Sequence, residues 1–296
     1  MQISPAARLR ELLAKPQLQV MPCCFDALSA RLIEEAGFPL SFMSGFAVSA
    51  AKIGAPDTGL ISYGEMVGQG RDICSAVSIP VIGDGDTGYG NALNVKRTVQ
   101  GYAQAGFAAV MIEDQVAPKR CGHTKGKMVV DRETAYSRIE AAVDARNEGA
   151  DIMILARTDA RHTEGLDEAL TRAQQFGQIG ADILFVEAPR NEEEMRRVCG
   201  EVPGIHMANL VEGGATPILP PEVLQDIGYR IAAYPLTLMS AAMKAMNDAL
   251  AQMKAGRHPA SQVLEFGELR RLVGFDAYYE AESRYAGARQ DKPEPS

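Results

Sequence analysis

Residues 149–188, GADIMILARTDARHTEGLDEALTRAQQFGQIGADILFVEA, decide the fold. Two short apolar runs, 152–156 and 182–186, flank a segment of helical periodicity at 167–179, which is the pattern of a strand–helix–strand unit. Each run is introduced by the same tripeptide, Gly149-Ala150-Asp151 and Gly180-Ala181-Asp182, with the related Gly106-Phe107-Ala108 further upstream. A glycine there suits the left-handed residue that ends a helix before the chain enters a strand. Each run is also followed by polar residues, Arg157-Thr158-Asp159 and Glu187.

Working outward, the same alternation covers most of the chain. Strands are predicted at 18–21, 39–43, 79–83, 108–112, 152–156, 182–186, 204–207 and 230–233, with helices at 26–36, 62–77, 92–105, 132–148, 167–179, 191–199, 221–227 and 237–255. Regular alternation requires a parallel sheet with right-handed crossovers, and eight units at this length fit a closed α/β (β/α)8 TIM barrel better than an open doubly wound sheet. An amphipathic stretch at 264–285 has no strand after it and suits a subunit contact. Residues 286–296 are polar and proline-containing, which predicts a frayed tail. The expected organisation is therefore one barrel with a C-terminal helical extension over 1–285, and a flexible tail over 286–296.

Composition narrows the class. With 296 residues, 46% of them hydrophobic, the chain can bury a large aliphatic core. A net charge of -8 disfavours non-specific nucleic-acid binding, which needs a basic face. No run approaches the roughly 18 to 20 apolar residues that cross a bilayer, and the first residues lack the apolar core of a secretory signal, so no membrane partner and a cytoplasmic location are expected. Five cysteines (Cys23, Cys24, Cys74, Cys121, Cys199), without Cys-x-x-Cys spacing, indicate neither a disulfide framework nor a zinc knuckle.

In a (β/α)8 barrel the functional groups gather just after the strands, and seven consecutive strand ends carry candidates: Ser44-Gly45, Asp84-Gly85-Asp86, Glu113-Asp114, Arg157-Thr158-Asp159, Glu187, Asn209 and Tyr234-Pro235. Asp84, Asp86 and Glu113 are hard oxygen donors, suited to Mg²⁺ with Mn²⁺ as a substitute; read locally, Asp-Gly-Asp is equally a loop that caps the following helix. Arg157 is either an ion pair at the barrel mouth or a planar fork for a carboxylate. Ser44-Gly45-Phe46 reads as a turn, or as backbone N–H groups for an anionic oxygen. Lys119-Arg120-Cys121-Gly122-His123 gathers a thiol, an imidazole and two cations in a loop-like segment, the profile of a catalytic lid whose thiol has a lowered pKa, although free cysteines commonly just pack.

These motifs in this order, with Met43-Ser44-Gly45, Ala156-Arg157-Thr158-Asp159-Ala160 and Phe185-Val186-Glu187-Ala188-Pro189, resemble the isocitrate lyase/phosphoenolpyruvate mutase superfamily over about residues 15–260. The resemblance implies an Mg²⁺-dependent (β/α)8 enzyme acting on small oxo or hydroxy carboxylates, a homotetramer in which the eighth helix is exchanged between subunits. It assigns Asp84 and Asp86 to the metal, directly or through water, with Glu113 beside them, and puts Asp57 at the site mouth. Ser44, Gly45 and Arg157, with Phe46 alongside, would hold one carboxylate; Glu187, Asn209 and Thr216 would contact the other half of the substrate. Lys119, Cys121, Gly122 and His123 belong to the catalytic loop.

A cysteine in that loop, where phosphoryl-transferring members carry asparagine, resembles the carbon–carbon lyase branch. The reading is a lyase that splits a 2,3-dimethylmalate-like 2-hydroxy dicarboxylate into pyruvate or glyoxylate and a carboxylic acid, with Cys121 as general acid. Thr124-Lys125-Gly126 stands where 2-methylisocitrate lyases commonly carry an arginine, which disfavours a tricarboxylate. The alternatives are a 2-methylisocitrate lyase, hydrolysis or decarboxylation of oxaloacetate, and carboxyphosphonoenolpyruvate phosphonomutase chemistry. A carboxylate-binding barrel without turnover is disfavoured because every named group is present.

Overall fold

A computed structural model describes residues 3–120 and 126–286. Cys121, Gly122 and His123 lie outside the described residues, as do positions 287–296 of the expected tail. In chain order the elements are α1 (Pro5–Leu13), β1 (Gln19–Cys24), α2 (Ala27–Glu35), β2 (Ser41–Met43), α3 (Gly45–Ile53), α4 (Tyr63–Ala76), β3 (Val81–Asp84), α5 (Ala92–Ala105), β4 (Ala109–Glu113), α6 (Arg132–Asn147), β5 (Met153–Thr158), α7 (Ala160–Thr163), α8 (Leu166–Ile179), β6 (Ile183–Val186), α9 (Glu192–Glu201), β7 (Met207–Asn209), α10 (Pro221–Ile227), β8 (Ile231–Tyr234), α11 (Thr237–Lys254), α12 (Phe266–Val273) and α13 (Phe275–Ala286).

The strands pair in parallel in the order β6-β5-β4-β3-β2-β1-β8-β7. A parallel bridge between Leu184 and His206 ties β6 to the approach to β7 and closes the ring. This is the expected TIM barrel. Local chemistry sets the helix ends. Asp26, Ser62, Asn91, Asp131 and Asn191 each accept a first-turn backbone N–H, and such caps contribute about 1 kcal/mol apiece. Gly106 and Gly180 end α5 and α8 at φ +98° and +116°, which is why a glycine precedes each following strand.

Side-chain alternation divides the core in two. Residues on one parity of the strands, among them Met21, Ile82, Ala109, Met153, Leu155, Ile183 and Ile231, fill the barrel with Leu9 and Leu13 of α1. The other parity, including Val110, Ile112, Ile154, Ala156, Leu184 and Val186, packs against the surrounding helices.

The structure departs from the sequence expectation in three places. Several strands run past their apolar run at the C-terminal end: β1 reaches Cys24, β3 Asp84, β5 Thr158 and β7 Asn209. There the inward-facing side chains, Asp84, Glu113, Arg157 and Asn209, are polar because they face the barrel mouth, while the backbone still pairs, as in Glu113 opposite Arg157. Ser44-Gly45-Phe46 is not a turn. Ser44 caps α3 by accepting from the Ala47 N–H, and the helix runs to Ile53, its nearly uniform apolar face giving no periodicity to read. Third, 264–285 is two helices, interrupted at Gly274.

The chain divides into two compact units, 1–240 and 241–296. The first holds the barrel. The second, taken by itself, contains most of α11 with α12 and α13, and it exposes Met243, Met246, Leu250, Met253, Phe266, Leu269, Phe275 and Tyr278. Among the described residues no helix is long and apolar enough to cross a membrane.

Candidate active site

The parity that fills the barrel also builds the site. Continuing the inward-facing residues by one step along each strand gives Ser44 after Phe42, Asp84 after Ile82, Glu113 after Met111, Arg157 after Leu155, Glu187 after Phe185 and Asn209 after Met207. All six line one cavity of about 240 Å³ at the C-terminal mouth, with Phe46 of α3 and with Asp57, Lys119 and Arg120 from the loops. Its floor is the top layer of the interior core, Cys23, Phe42, Met111, Phe185, Met207 and Ala233. Its remaining wall, Val211, Pro235 and Leu236, is apolar.

Arg157 is the centre of the charged wall. Its Nε and Nη2 hold the two oxygens of Asp159 at 2.8 and 3.0 Å, Nη2 also reaches Glu187 at 3.1 Å, and Nε lies 3.3 Å from Glu113. The guanidinium carbon sits 5.2 Å from the centre of the Phe185 ring, a cation–π contact. Asn209 Nδ2 donates to Glu187 at 3.2 Å, which orients the carboxylate from the other side. Lys119 Nζ lies 2.7 Å from both Asp57 and Asp86. Asp84 accepts from the Gly45 N–H at 3.2 Å and from the Asp86 N–H at 3.0 Å, and its backbone carbonyl accepts from the Tyr102 hydroxyl at 2.6 Å.

Two glycines permit this packing. A methyl on Gly85 would stand 2.6 Å from the Met111 carbonyl oxygen, and one on Gly45 would stand 2.5 Å from Asp84 Oδ2. Asp86 itself is left-handed at φ +49°, a strained conformation for a residue with a side chain.

The electrostatics are tense. Burial is the largest influence on Asp57, Asp86 and Glu113 and raises all three; Asp86, with Asp84 and Asp57 nearby, is pushed up to about 7. Burial also opposes ionisation of Asp159, yet Arg157 and Lys127 outweigh it and hold that carboxyl well below its usual range. Fully ionised, Asp57, Asp84, Asp86, Glu113, Asp159 and Glu187 exceed Lys119, Arg120, Lys127 and Arg157 by two negative charges.

The residues fit a hard divalent cation. Asp57 Oδ1 and Glu113 Oε1 are buried without a hydrogen-bond partner among the described residues, and the donor set is entirely oxygen. Among the described residues, however, no three such side chains converge into a ready-made ligand cluster. That suits a cation held by one or two carboxylates, with waters and substrate oxygens completing its shell.

Of the remaining expected residues, Thr216 is buried with its hydroxyl unpartnered and is not on the cavity wall. Asp86 touches the site through Lys119. Asp114 and Asp159 stood among the strand-end candidates without an assigned role, and sequence reasoning missed Lys127, which lies in the return between β4 and α6. Asp114 accepts from Thr158 Oγ1 at 2.7 Å and the Asp159 N–H at 2.9 Å and pairs with Arg172 at 3.1 Å, a buried brace behind Arg157.

Fold and site together define a (β/α)8 barrel whose mouth gathers buried carboxylates, Arg157 and Lys119 above an apolar floor. The chain belongs to the phosphoenolpyruvate phosphomutase family, whose model matches residues 9–254. It is 43% identical to 2,3-dimethylmalate lyase of Eubacterium barkeri over 97% of this chain and 100% of that protein. Among solved structures, it is similar to oxaloacetate acetylhydrolase in complex with 3,3-difluorooxalacetate, at TM-score 0.92 and 31% identity over 96% of this chain and 98% of that one. It is also similar to phosphonopyruvate hydrolase with oxalate and Mg²⁺, at TM-score 0.85 and 29% identity over 96% and 99%.

Proposed function

We propose that the protein is an Mg²⁺-dependent carbon–carbon lyase that splits a small, branched 2-hydroxy dicarboxylate of the 2,3-dimethylmalate type into an oxo acid and a carboxylic acid. The observation that carries this is the division of one 240 Å³ cavity into a charged wall, around Arg157, Glu113, Asp84 and Glu187, and an apolar wall, with Val211, Pro235 and Leu236 above a floor of Phe42 and Phe185. Two carboxylates match the first and short alkyl branches the second. The extent of identity to a 2,3-dimethylmalate lyase supports the same reading.

Asp84, with Asp86, Asp57 and Glu113 in support, would hold the Mg²⁺ or Mn²⁺, which supplies charge stabilisation at the oxygen of the forming oxo acid. Arg157 holds the carboxylate beside that oxygen. Ser44, Gly45 and Phe46 bound the same end, and Glu187 and Asn209 serve the other half. A base removes the hydroxyl proton, and the carbon–carbon bond breaks as the carbinol carbon becomes the oxo carbon. The electron pair passes to the departing carboxylate-bearing carbon, which takes a proton from the Cys121 thiol. Glu113 suits the base by its position on the wall; Tyr89 does not line the cavity, and burial above all raises its phenol far above the usual range. Lys119, Gly122 and His123 complete the loop's part.

The test is oxo-acid release, read by coupled reduction, from 2,3-dimethylmalate, 2-methylisocitrate, isocitrate and carboxyphosphonoenolpyruvate, and the disappearance of oxaloacetate, with Mg²⁺ or chelator. Metal-dependent turnover of 2,3-dimethylmalate is expected. Turnover confined to oxaloacetate or the phosphonate would overturn the lyase reading. We also propose a homotetramer, supported by the apolar residues exposed on the second unit; light scattering should give four times the 31.8 kDa chain. A monomer at micromolar concentration would refute that assembly.

A further inference from the structure

We infer that Asp159 is a positioning residue that fixes which edge of the Arg157 guanidinium is offered to a substrate carboxylate. The inference rests on the reading of Arg157 as the carboxylate site. Arg157 has five N–H donors in a rigid plane. Asp159 occupies one edge of that plane through a two-point contact, Nε to Oδ2 at 2.8 Å and Nη2 to Oδ1 at 3.0 Å. Glu187 lies 3.1 Å from Nη2 and Glu113 3.3 Å from Nε, as ion pairs rather than hydrogen bonds. Among the described residues Nη1 makes no hydrogen bond, so its two donors, beside the second donor of Nη2, form the edge offered to a ligand.

Asp159 can hold the guanidinium this way because it is itself held from two further directions. Lys127 Nζ lies 2.8 Å from Oδ1, both side chains being fully buried, and the Asp159 backbone N–H donates to Asp114 at 2.9 Å. Asp114 is braced in turn by Arg172 and by the Thr158 hydroxyl. The tether is fixed relative to the backbone of β4 and β5. Glu113 and Glu187 lie on the cavity wall and each makes a single contact with Arg157, so they can yield to an incoming carboxylate while Asp159 does not. Lys127 extends the brace into the chain that returns past the mouth, where the Val116 N–H donates to the Met128 carbonyl at 2.8 Å. Without Asp159 the guanidinium keeps its charge and loses its orientation.

The experiment is calorimetric binding of oxalate, in the presence of Mg²⁺, to wild type, Asp159→Asn, Arg157→Lys and the double variant. Asp159→Asn should weaken oxalate about 10- to 100-fold, the range of charge-assisted hydrogen bonds, and should change affinity less than about twofold once Arg157 is lysine. On turnover it should raise KM, with kcat changing less than about threefold. A merely structural role for Asp159 would weaken binding by the same factor in both backgrounds, and that outcome, or wild-type affinity in Asp159→Asn, overturns the inference. If Asp159→Asn does not fold, Lys127→Gln takes its place; it should weaken oxalate a few-fold in the Arg157 background only, and equal binding counts against the brace. Failure of the wild type to bind oxalate would instead remove the carboxylate-site reading of Arg157, and the inference with it.

Discussion

Gly45→Ala separates the metal site from the fold. Gly45 is the first residue of α3, its backbone is not left-handed, and alanine there should stabilise the helix by up to about 1 kcal/mol. The new methyl, however, would stand 2.5 Å from Asp84 Oδ2 and 3.0 Å from Asp84 Cγ. An ordinary contact needs about 3.5 Å, so the carboxylate must withdraw by about 1 Å. Withdrawal also stretches the hydrogen bond from the Gly45 N–H, now 3.2 Å. Asp84 cannot swing freely, because its second oxygen accepts from the Asp86 N–H at 3.0 Å. Displacing a ligand or its support by this much commonly costs about 10- to 100-fold in metal affinity or activity. The expected result is therefore an apparent Mg²⁺ dissociation constant raised about 10- to 100-fold, by calorimetry and by activation curves, with a thermal midpoint in chelator equal to or above that of wild type. Unchanged Mg²⁺ affinity in a folded Gly45→Ala protein would show that Asp84 does not hold the metal.

Arg157→Lys keeps the charge and loses the fork; kcat/KM in the oxo-acid assay should fall about 10- to 150-fold, and full activity would contradict carboxylate binding there. In chelator, stability should decline from pH 5 to pH 8. Asp86 has a folded pKa of about 7, above its unfolded value of about 3.9, so its contribution is fully present below the unfolded value and lost as pH rises through 7. Asp86→Asn should flatten that decline and Mg²⁺ should reverse it, whereas a midpoint independent of pH over this range would contradict the reading. Cys121→Ser should abolish most turnover, since a hydroxyl is a far weaker acid than a thiol; retained kcat with an unchanged pH profile would exclude Cys121 as proton donor.

The apolar runs and the glycines between them were enough to give eight strands and the helices that follow, because burial on both faces of a parallel strand and the left-handed helix end are both written locally. The candidate site was legible for the same reason. Each of Ser44, Asp84, Glu113, Arg157, Glu187 and Asn209 follows an apolar run, and in a closed barrel every run ends at the same rim. Helix α3 was not legible, since a segment apolar on most sides carries no period. The roles of Asp159 and Asp114 as braces were not legible, and neither was Lys127: strand-end position marks a polar residue as a candidate but not which partner it meets, and Lys127 comes from a return loop.

Sequence by itself determined the architecture and the donor types, for hydrophobic period and residue chemistry are properties of short segments. Tertiary structure alone decided which groups meet. Lys119 bridges Asp57 and Asp86, and Lys127 and Asp114 hold the Asp159 that grips Arg157, because these braces join loops and strands far apart in the chain. They exist only once the ring of strands has closed and the buried charges must find partners close by.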